Sequence, residues 1–261
     1  MMDITLDELL KGKATIIKGK NYLPTAGYVE PFLERLSKFT DDFRIHVQLP
    51  DQITRTVEGD INMDDITYNR VYIEAVMPDD MCYTNHDKVI GMVMGLDVRK
   101  PVAKFYNGAL NAACTNLCVF NPDYLECQGI EPESPLNFKP LDRLLNLKDD
   151  TRQMLITLHE TKFNNSILNQ QNNLGKWVRN VIMNDYDSGF GKVKLSVDNA
   201  IQAYKSLFMK EDSEYYQNSS EVSMFDVYNA FTQQITDARD KGKDLINLFE
   251  KTILLRTILD F

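Results

Sequence analysis

The chain has 261 residues, a formal net charge of −9 and a hydrophobic fraction of 43%. These apolar and charged fractions are those of an ordinary globular protein, which excludes intrinsic disorder as the default state. The acidic excess repels bare phosphate over long range and argues against nucleic-acid binding by the whole surface, but it is compatible with a local basic groove.

The beginning of the chain predicts no targeting segment. Its first ten residues include Asp3, Asp7 and Glu8 and lack the apolar core of a signal peptide. No apolar run approaches the roughly 20 residues that a membrane helix requires. We therefore expect a cytoplasmic protein without a membrane partner, whose four cysteines are thiols in a reducing compartment.

The first elements of the chain predict helices and short strands in turn. Asp3 or Thr5 is expected to cap a short helix through residues 6–10. Residues 13–18 predict a short strand, and apolar residues at helical spacing predict a helix over 29–39.

Alternation of apolar and polar residues then predicts a sheet. Strands are predicted over 43–49, 52–58, 69–77 and 88–98, and together they form a twisted antiparallel sheet. Residues 101–120 carry small residues and apolar residues at helical spacing, so we predict a helix that packs closely on that sheet.

The chain changes character near residue 140. Residues 128–140 contain a glycine and three prolines, which predicts a linker or long loop. Beyond it, the spacing predicts helices over 151–169 and 174–183, after Ser196, after Ser223 and from about Lys243. The predicted fold is thus α+β, with an N-terminal sheet domain over 1–140 and a mostly α-helical half over 141–261 that packs on it or continues it.

Cysteine and histidine residues form one candidate metal site. Cys82-x3-His86 and Cys114-x3-Cys118 supply four zinc-type ligands in two pairs, and spacing alone leaves open whether they meet in space. Because the second pair falls in a predicted buried helix, and free cysteine packs as a small apolar group, we favour packed thiols. We therefore predict neither a metal nor another cofactor.

No catalytic motif is complete in the chain. A cysteine nucleophile needs a base such as His46, His86 or His159, and a lone histidine at such positions is more often structural. The Gly-x-Gly-Lys at 189–192 lacks the spacing of a phosphate-binding P-loop. We therefore favour a non-enzymatic protein, and an enzyme with a cysteine or metal centre stays open as a third alternative.

Basic residues beside aromatic ones form the candidate binding site. The predicted nucleic-acid-binding residues are Lys18, Lys20, Arg99, Lys100 and Lys104, with Arg44, Arg55 and Arg70 on neighbouring strands. A twisted sheet can gather such cations into a groove that holds a single strand by charge and stacking. The alternative is that they coat the outer face of a half-exposed sheet.

Two short motifs resemble a known family. Residues 112–117, around Cys114-Thr115-Asn116, and residues 228–237, around Asn229-Ala230-Phe231-Thr232, are similar in order and separation to motifs of the phage/plasmid-like domain of unknown function 932 family. The chain has Gln233 and Ala238-Arg239 where that family tends to have Glu and His, so no role of those residues carries over. The resemblance implies origin in a mobile element such as a bacteriophage, and therefore the cytoplasm of its host.

Two hypotheses follow for function. The first is a protein of phage or mobile-element DNA metabolism that binds single-stranded nucleic acid, with the helical half supporting homo-oligomerisation. The alternative is an acidic interaction protein that inhibits a host defence nuclease or another basic host protein, as the net charge of −9 suggests.

Overall fold

A computed structural model of the protein describes the main sheet, its helices and parts of the C-terminal half. The described residues are 2–17, 20–50, 67–77, 86–96, 101–111, 117–120, 128–131, 134–146, 150–164, 179, 185–187, 192–194, 197–209, 211 and 221–240. The described helices are α1 (Leu6–Leu10), α2 (Ala26–Leu36), α3 (Lys139–Asn146), α4 (Asp150–Glu160), α5 (Val197–Phe208) and α6 (Met224–Asp240).

The described strands are mostly short outside the main sheet. They are β1 (Met2–Asp3), β2 (Thr15–Ile17), β3 (Lys20–Tyr22), β4 (Phe43–Gln48), β5 (Arg70–Met77), β6 (His86–Gly95), β7 (Val102–Asn111), β8 (Leu117–Phe120), β9 (Gln128–Gly129), β10 (Lys162–Asn164), β11 (Asp185–Asp187), β12 (Lys192–Lys194) and β13 (Glu221–Ser223). None of the helices in the described ranges has the length and apolarity needed to cross a bilayer.

The chain forms two compact units whose sequence ranges interleave. Unit 1 comprises Met1–Asp80, Lys88–Asn107 and Asp123–Leu147, and unit 2 comprises Met81–Asp87, Gly108–Pro122 and Lys148–Phe261. The boundary that the sequence predicts near residue 140, with a second half that packs on the first or continues it, stays a prediction.

The main sheet confirms the predicted α+β class. Its strand order is β1-β4-β5-β6-β7-β8, and β9 also pairs with β7. The pairs β1–β4, β4–β5, β5–β6 and β7–β9 are antiparallel. The mostly helical character of residues 141–261 stays a prediction, because much of that half lies outside the described residues.

Most of the N-terminal elements lie where the sequence predicts them. The helices α1 and α2 and the strands β2, β4, β5 and β6 match predicted segments within a few residues. Thr5 caps α1 in a reciprocal capping box with Glu8. The predicted strand over 52–58 lies outside the described residues.

Residues 101–120 are the main error of the sequence prediction. The described residues of this segment form the strands β7 (102–111) and β8 (117–120), not a helix. Every residue from Val102 to Leu110 is buried, so the strand shows none of the polar alternation that marks a half-exposed strand. Its small residues, Ala103, Gly108 and Ala109, are also typical of a closely packed helix. A short apolar run cannot be assigned to a helix or a strand by its period alone.

The core of unit 1 lies between one face of the main sheet and the helices α1, α2 and α3. Phe32 of α2 stacks on Phe105 of β7 with ring centroids 6.1 Å apart, and Phe105 lies 5.3 Å from Phe138. Arg35 covers the ring of Phe138 at 4.2 Å and pairs with Asp142 at 3.5 Å. Burial of each large apolar side chain contributes about 1.5–3 kcal/mol, so the packing on this face contributes strongly to the stability of the unit.

Unit 2 has its own described core. The strands β10 and β13 pair antiparallel, with Phe163 opposite Val222, and α6 packs against α4 and α5. Ser223 caps α6, since its hydroxyl accepts the Asp226 N–H at 3.0 Å and donates to the Asp226 carboxylate. The predicted cap at this position is therefore confirmed. Helix α4 ends at Glu160, short of the predicted residue 169, because the chain turns into β10.

Candidate nucleic-acid interface

On strands β4 and β5, the side of the main sheet opposite its apolar core is polar. Residues in register across two strands lie on the same side of a sheet, and successive residues lie on opposite sides. The cross-strand pairs on this side are Arg44 with Glu74, His46 with Tyr72, and Gln48 with Arg70. We call these six residues the polar face. The alternating residues between them, such as Ile45 and Ile73, lie in the core.

Exposure decreases across the polar face from its edge inwards. Arg44, His46 and Gln48 of β4 and Arg70 of β5 are half-buried. Tyr72 and Glu74 are 6% and 5% exposed. The edge strand β1 pairs with β4 only at residues 46 and 47, so its pairing stops before Arg44. The cationic side chains of Arg44 and Arg70 are therefore more exposed than the carboxyl group of Glu74, which lies further inside.

Aromatic rings connect the edge of the polar face to its buried end. The ring centroids of His46 and Tyr72 are 6.1 Å apart, and those of Tyr72 and Tyr106 are 5.8 Å apart. The Tyr106 hydroxyl donates to Glu74 Oε1 at 3.2 Å. Three rings on three strands thus form a continuous row.

Gly91 makes room for the last ring of this row. It lies opposite Glu74 in the β5–β6 register, on the same side of the sheet. A methyl group at this position would overlap the ring of Tyr106. A glycine inside a strand often marks such a close approach, so the position of Tyr106 depends on the missing side chain.

The electrostatics of the polar face are set by the burial of Glu74. Burial raises the pKa of Glu74, while the charge of His46, hydrogen bonds from Tyr72 and Tyr106, and the charge of Arg44 oppose the rise. Burial also raises the pKa of Tyr106 well above its usual value, which keeps the phenol a hydrogen-bond donor.

Two polar atoms of the face have unused hydrogen-bonding capacity. Arg70 Nη1 donates to the main-chain O of Asn69 at 3.0 Å and to Asn69 Oδ1 at 2.8 Å. Arg70 Nε and Gln48 Oε1 are buried and have no hydrogen-bond partner among the described residues. Leaving such a group unsatisfied costs about 1–3 kcal/mol, so buried polar atoms usually have a partner.

The five residues predicted to bind nucleic acid are not all placed by the structure. Lys18, Arg99 and Lys100 lie outside the described residues, and Lys20 belongs to β3. Lys104 of β7 is 1% exposed, so it does not present its ammonium group to solvent as the predicted groove requires. The helix prediction for 101–120 caused this misplacement, because a buried central strand has no solvent face. Nucleic-acid binding by the other four stays a prediction.

The candidate metal ligands are only partly described. Cys82 and Cys114 lie outside the described residues, and Cys118 belongs to β8. His86 is 3% exposed and packs in unit 2 against Phe225 at 5.3 Å and His159 at 6.4 Å between ring centroids. Within the described ranges, no group of three His, Cys, Asp or Glu side chains is arranged to hold a metal ion.

The sequence reasoning missed the buried centre of the polar face. Polar residues at every second position, 44, 46 and 48 and then 70, 72 and 74, were the signal that could have found it. The contribution of Tyr106 could not be found, because its segment was assigned to a helix.

Comparisons with known proteins do not extend these observations. No protein-family model, no curated protein and no solved structure matches the chain. The resemblance to the phage/plasmid-like family therefore remains an expectation that rests on its two motifs.

Proposed function

We propose that the protein is a non-enzymatic binding protein for single-stranded nucleic acid and that the polar face is its contact surface. One observation carries the proposal: the β4–β5 register aligns Arg44, His46 and Arg70 with Tyr72 on the side opposite the apolar core. In line with the family resemblance, we propose that it acts in the DNA metabolism of a phage or mobile element in the host cytoplasm.

The chemistry of the polar face suits a phosphate backbone with attached bases. A guanidinium group binds phosphate through two parallel hydrogen bonds, and the half-buried His46 ring, supported from beneath by the buried Tyr72, can stack on a base. Arg44 and Arg70 lie at opposite ends of the face, because Arg44 pairs with Glu74, four positions from Arg70 on β5. Four strand positions span about 13 Å, which leaves room for more than one nucleotide between the two guanidinium groups.

The net charge of −9 determines how such binding should behave. The rest of the surface repels a polyanion, so attraction must come from a few local contacts. Each contact releases counterions, and the affinity therefore falls steeply as salt rises.

Fluorescence anisotropy with a labelled single-stranded oligonucleotide tests the proposal. We expect micromolar or tighter binding at low salt, and the double variant Arg44→Ala/Arg70→Ala should bind much more weakly. Loss of two phosphate contacts should reduce the slope of log K against log salt by about 1.4, since each contact to a single strand contributes about 0.7.

The matched control is Arg143→Ala, which removes one exposed cation from α3, away from the polar face. It should leave the affinity and the salt slope unchanged. Absence of binding by the wild-type protein at low salt rejects the proposal, and equal losses in both variants reduce it to nonspecific charge attraction.

One observation favours the alternative function, an acidic protein that inhibits a basic host protein. Glu30 and Glu34 are exposed one turn apart on α2, and the exposed Asp41 and Asp42 follow it. Between these acids, Phe39 is 58% exposed. An aromatic side chain among complementary charges is a typical anchor of a protein interface.

A pull-down from host lysate with matched variants tests this alternative. The alternative is supported if the wild type and the control Lys139→Ala both recover one stoichiometric basic protein. The variants Phe39→Ala and Glu30→Lys/Glu34→Lys should not recover it. Recovery that is the same for all variants, or of nucleic acid alone, counts against it.

A further inference from the structure

Helix α5 of unit 2 has one packed side. Ala200, Ala203, Leu207 and Phe208 are buried, and α5 packs against α6. These residues are spaced by three, four and one along the chain, which places them on one side of a helix. A surface helix of this kind usually carries charged and polar residues on its other side. On α5, the other side is only partly polar.

The exposed side of α5 carries large apolar side chains. In the part of the chain that the structure describes, five large apolar side chains are exposed, and three of them lie within nine residues. They are Ile201, Tyr204 and Met209, which are 44%, 47% and 64% exposed. Single exposed apolar side chains are normal, whereas several on one side of a helix indicate a contact surface. Tyrosine and methionine are also enriched in protein interfaces.

The ends of this exposed side are held in place by the helix. The main-chain N–H of Met209 donates to the main-chain O of Lys205 at 3.0 Å, so Met209 continues the last turn. The rings of Tyr204 and the buried Phe208 lie 4.8 Å apart between centroids. A packed residue thus supports an exposed one, and the exposed side chains start from a fixed backbone.

Two exposed charges of opposite sign lie along the same side of the helix. Asp198, Ile201, Lys205 and Met209 follow one another at spacings of three, four and four residues, so they form one line along α5. Asp198 is in the first turn and Lys205 in the last. Each charge suits the helix dipole at its own end and needs no partner by itself. Their place on either side of an exposed isoleucine is what indicates a partner. We call Asp198, Ile201, Tyr204, Lys205 and Met209 the α5 surface.

The α5 surface is complementary to itself in the antiparallel direction. If a second α5 lies antiparallel on the first, with a two-fold axis near Ile201, Asp198 of each copy lies opposite Lys205 of the other. The two Ile201 side chains then meet at the axis. A parallel arrangement would instead bring like charges together. Two-fold dimers, in which both subunits use the same patch, are the commonest protein oligomers.

We infer that the α5 surface is a homodimer interface, in which a second copy of the chain packs antiparallel on the first. The inference goes beyond the proposed function and gives the expected homo-oligomerisation a surface. A stable interface buries about 800 Å² on each partner, which is more than one helix side with three apolar side chains provides. The dimer is therefore weak, and its Kd should be about 10–100 µM.

Sedimentation equilibrium of the full chain, over concentrations on both sides of this Kd, tests the inference. The wild type should change from monomer to dimer. Ile201→Ala/Tyr204→Ala should weaken the dimer about 10-fold or more, since it removes the apolar centre of the interface. The variant should keep its fold, because both side chains are exposed and alanine favours a helix. The control is Ile16→Ala, which removes a 70% exposed isoleucine from unit 1 and should dimerise like the wild type.

Charge reversal tests the antiparallel direction. Asp198→Lys and Lys205→Asp each place like charges at both contacts of the dimer, so each should weaken self-association about 5- to 30-fold. An equimolar mixture of the two variants has opposite charges at both contacts and should dimerise about as well as the wild type. Arg152→Asp and Glu160→Lys reverse exposed charges on α4 and should leave the dimer unchanged.

Three results would overturn the inference. One is a wild type that stays monomeric at about 300 µM, well above the expected Kd. Another is a dimer that Ile201→Ala/Tyr204→Ala does not weaken, because a different surface then joins the copies. The third is a mixture of the two charge variants that associates no better than either alone.

A membrane is the other occupant that the experiment can detect. If the wild type is monomeric and binds phosphatidylcholine vesicles, and Ile201→Ala/Tyr204→Ala does not, the α5 surface contacts lipid and the inference is wrong. None of these results depends on nucleic acid. The proposed function fails or stands on oligonucleotide binding by the polar face, so the two failures are distinguishable.

Discussion

Each unit of the protein buries a cluster of titratable side chains, and the two clusters are stabilised differently. In unit 1, Glu74 is held by hydroxyl groups, with Tyr106 donating to it at 3.2 Å. In unit 2, the His159 ring stacks on Phe225 at 4.0 Å between centroids, and His86 meets the same phenyl ring edge-on at 5.3 Å. The first cluster depends on hydrogen-bond geometry and the second on ring packing.

Both environments favour the neutral form of the buried group, but the group is an acid in one unit and a base in the other. Burial raises the pKa of Glu74 and lowers the pKa of His159. The same physical cause, loss of hydration, should therefore make unit 1 lose stability as pH rises and unit 2 lose stability as pH falls.

The largest expected effect tests the geometry of the first cluster. Gly91→Ala places a methyl group where the Tyr106 ring lies, and Tyr106 is 0% exposed. We expect a loss of about 3 kcal/mol in the free energy of unfolding, as for other overpacked cores. Urea denaturation measures it.

Gly27→Ala is the matched control for this substitution. Gly27 lies in α2 with nothing within 4 Å of an added Cβ, so alanine should stabilise the helix by about 0.5–1 kcal/mol. A loss below about 1 kcal/mol for Gly91→Ala would mean that the ring moves freely and that hydrogen-bond geometry does not organise the cluster.

The parts of the fold that the sequence predicted are those with a clear period. Alternation at Phe43–Gln48 and at Arg70–Met77 identified β4 and β5, because one side of each strand is apolar and the other polar. The same rule failed at Val102–Asn111, where both sides are buried and the period disappears.

The candidate site was harder to predict than the fold. The cross-strand register places Arg44 opposite Glu74, and it places Gly91 beneath Tyr106. The sequence of one strand alone does not determine this register. The lysines around Ile16 form a basic segment that the sequence shows directly, whereas the burial of Lys104 depends on an element that was assigned incorrectly.

A smaller effect concerns the pH dependence of unit 1. The folded pKa of Glu74 is raised above its value in the unfolded chain, so the stability it contributes is full below pH 4.5 and is lost as pH rises through the folded pKa. Glu74→Gln cannot ionise and keeps an acceptor for Tyr106. The free energy of unfolding of this variant, minus that of the wild type, should therefore be larger at pH 8 than at pH 4.

Urea denaturation at the two pH values measures this difference. The control is Glu34→Gln, which changes an exposed acid on α2 and should show the same small difference at both pH values. If Glu74→Gln behaves like this control, Glu74 ionises without cost and its burial does not govern the cluster.

The smallest effect concerns unit 2 and has the opposite sign. The pKa of His159 is lowered by burial, raised by Asp226 of α6, and lowered by His86 of β6 and Lys162 of β10. Because the folded pKa of His159 is below the unfolded value of 6.5, the neutral imidazole stabilises unit 2 above pH 6.5. This stability is lost as pH falls from 6.5 through the folded pKa. His159→Gln should thus flatten the loss of stability between about pH 7 and 5.

Hydrogen exchange of the α4 and α6 amides over this pH range reports on unit 2 directly. The wild type should lose protection there on acidification, while Thr157→Ala, an exposed change on the same helix, should follow the wild type. A wild type that keeps full protection in α4 and α6 at pH 5 would show that ring packing tolerates a charged imidazole. Burial alone would then not explain why the two clusters favour neutral groups.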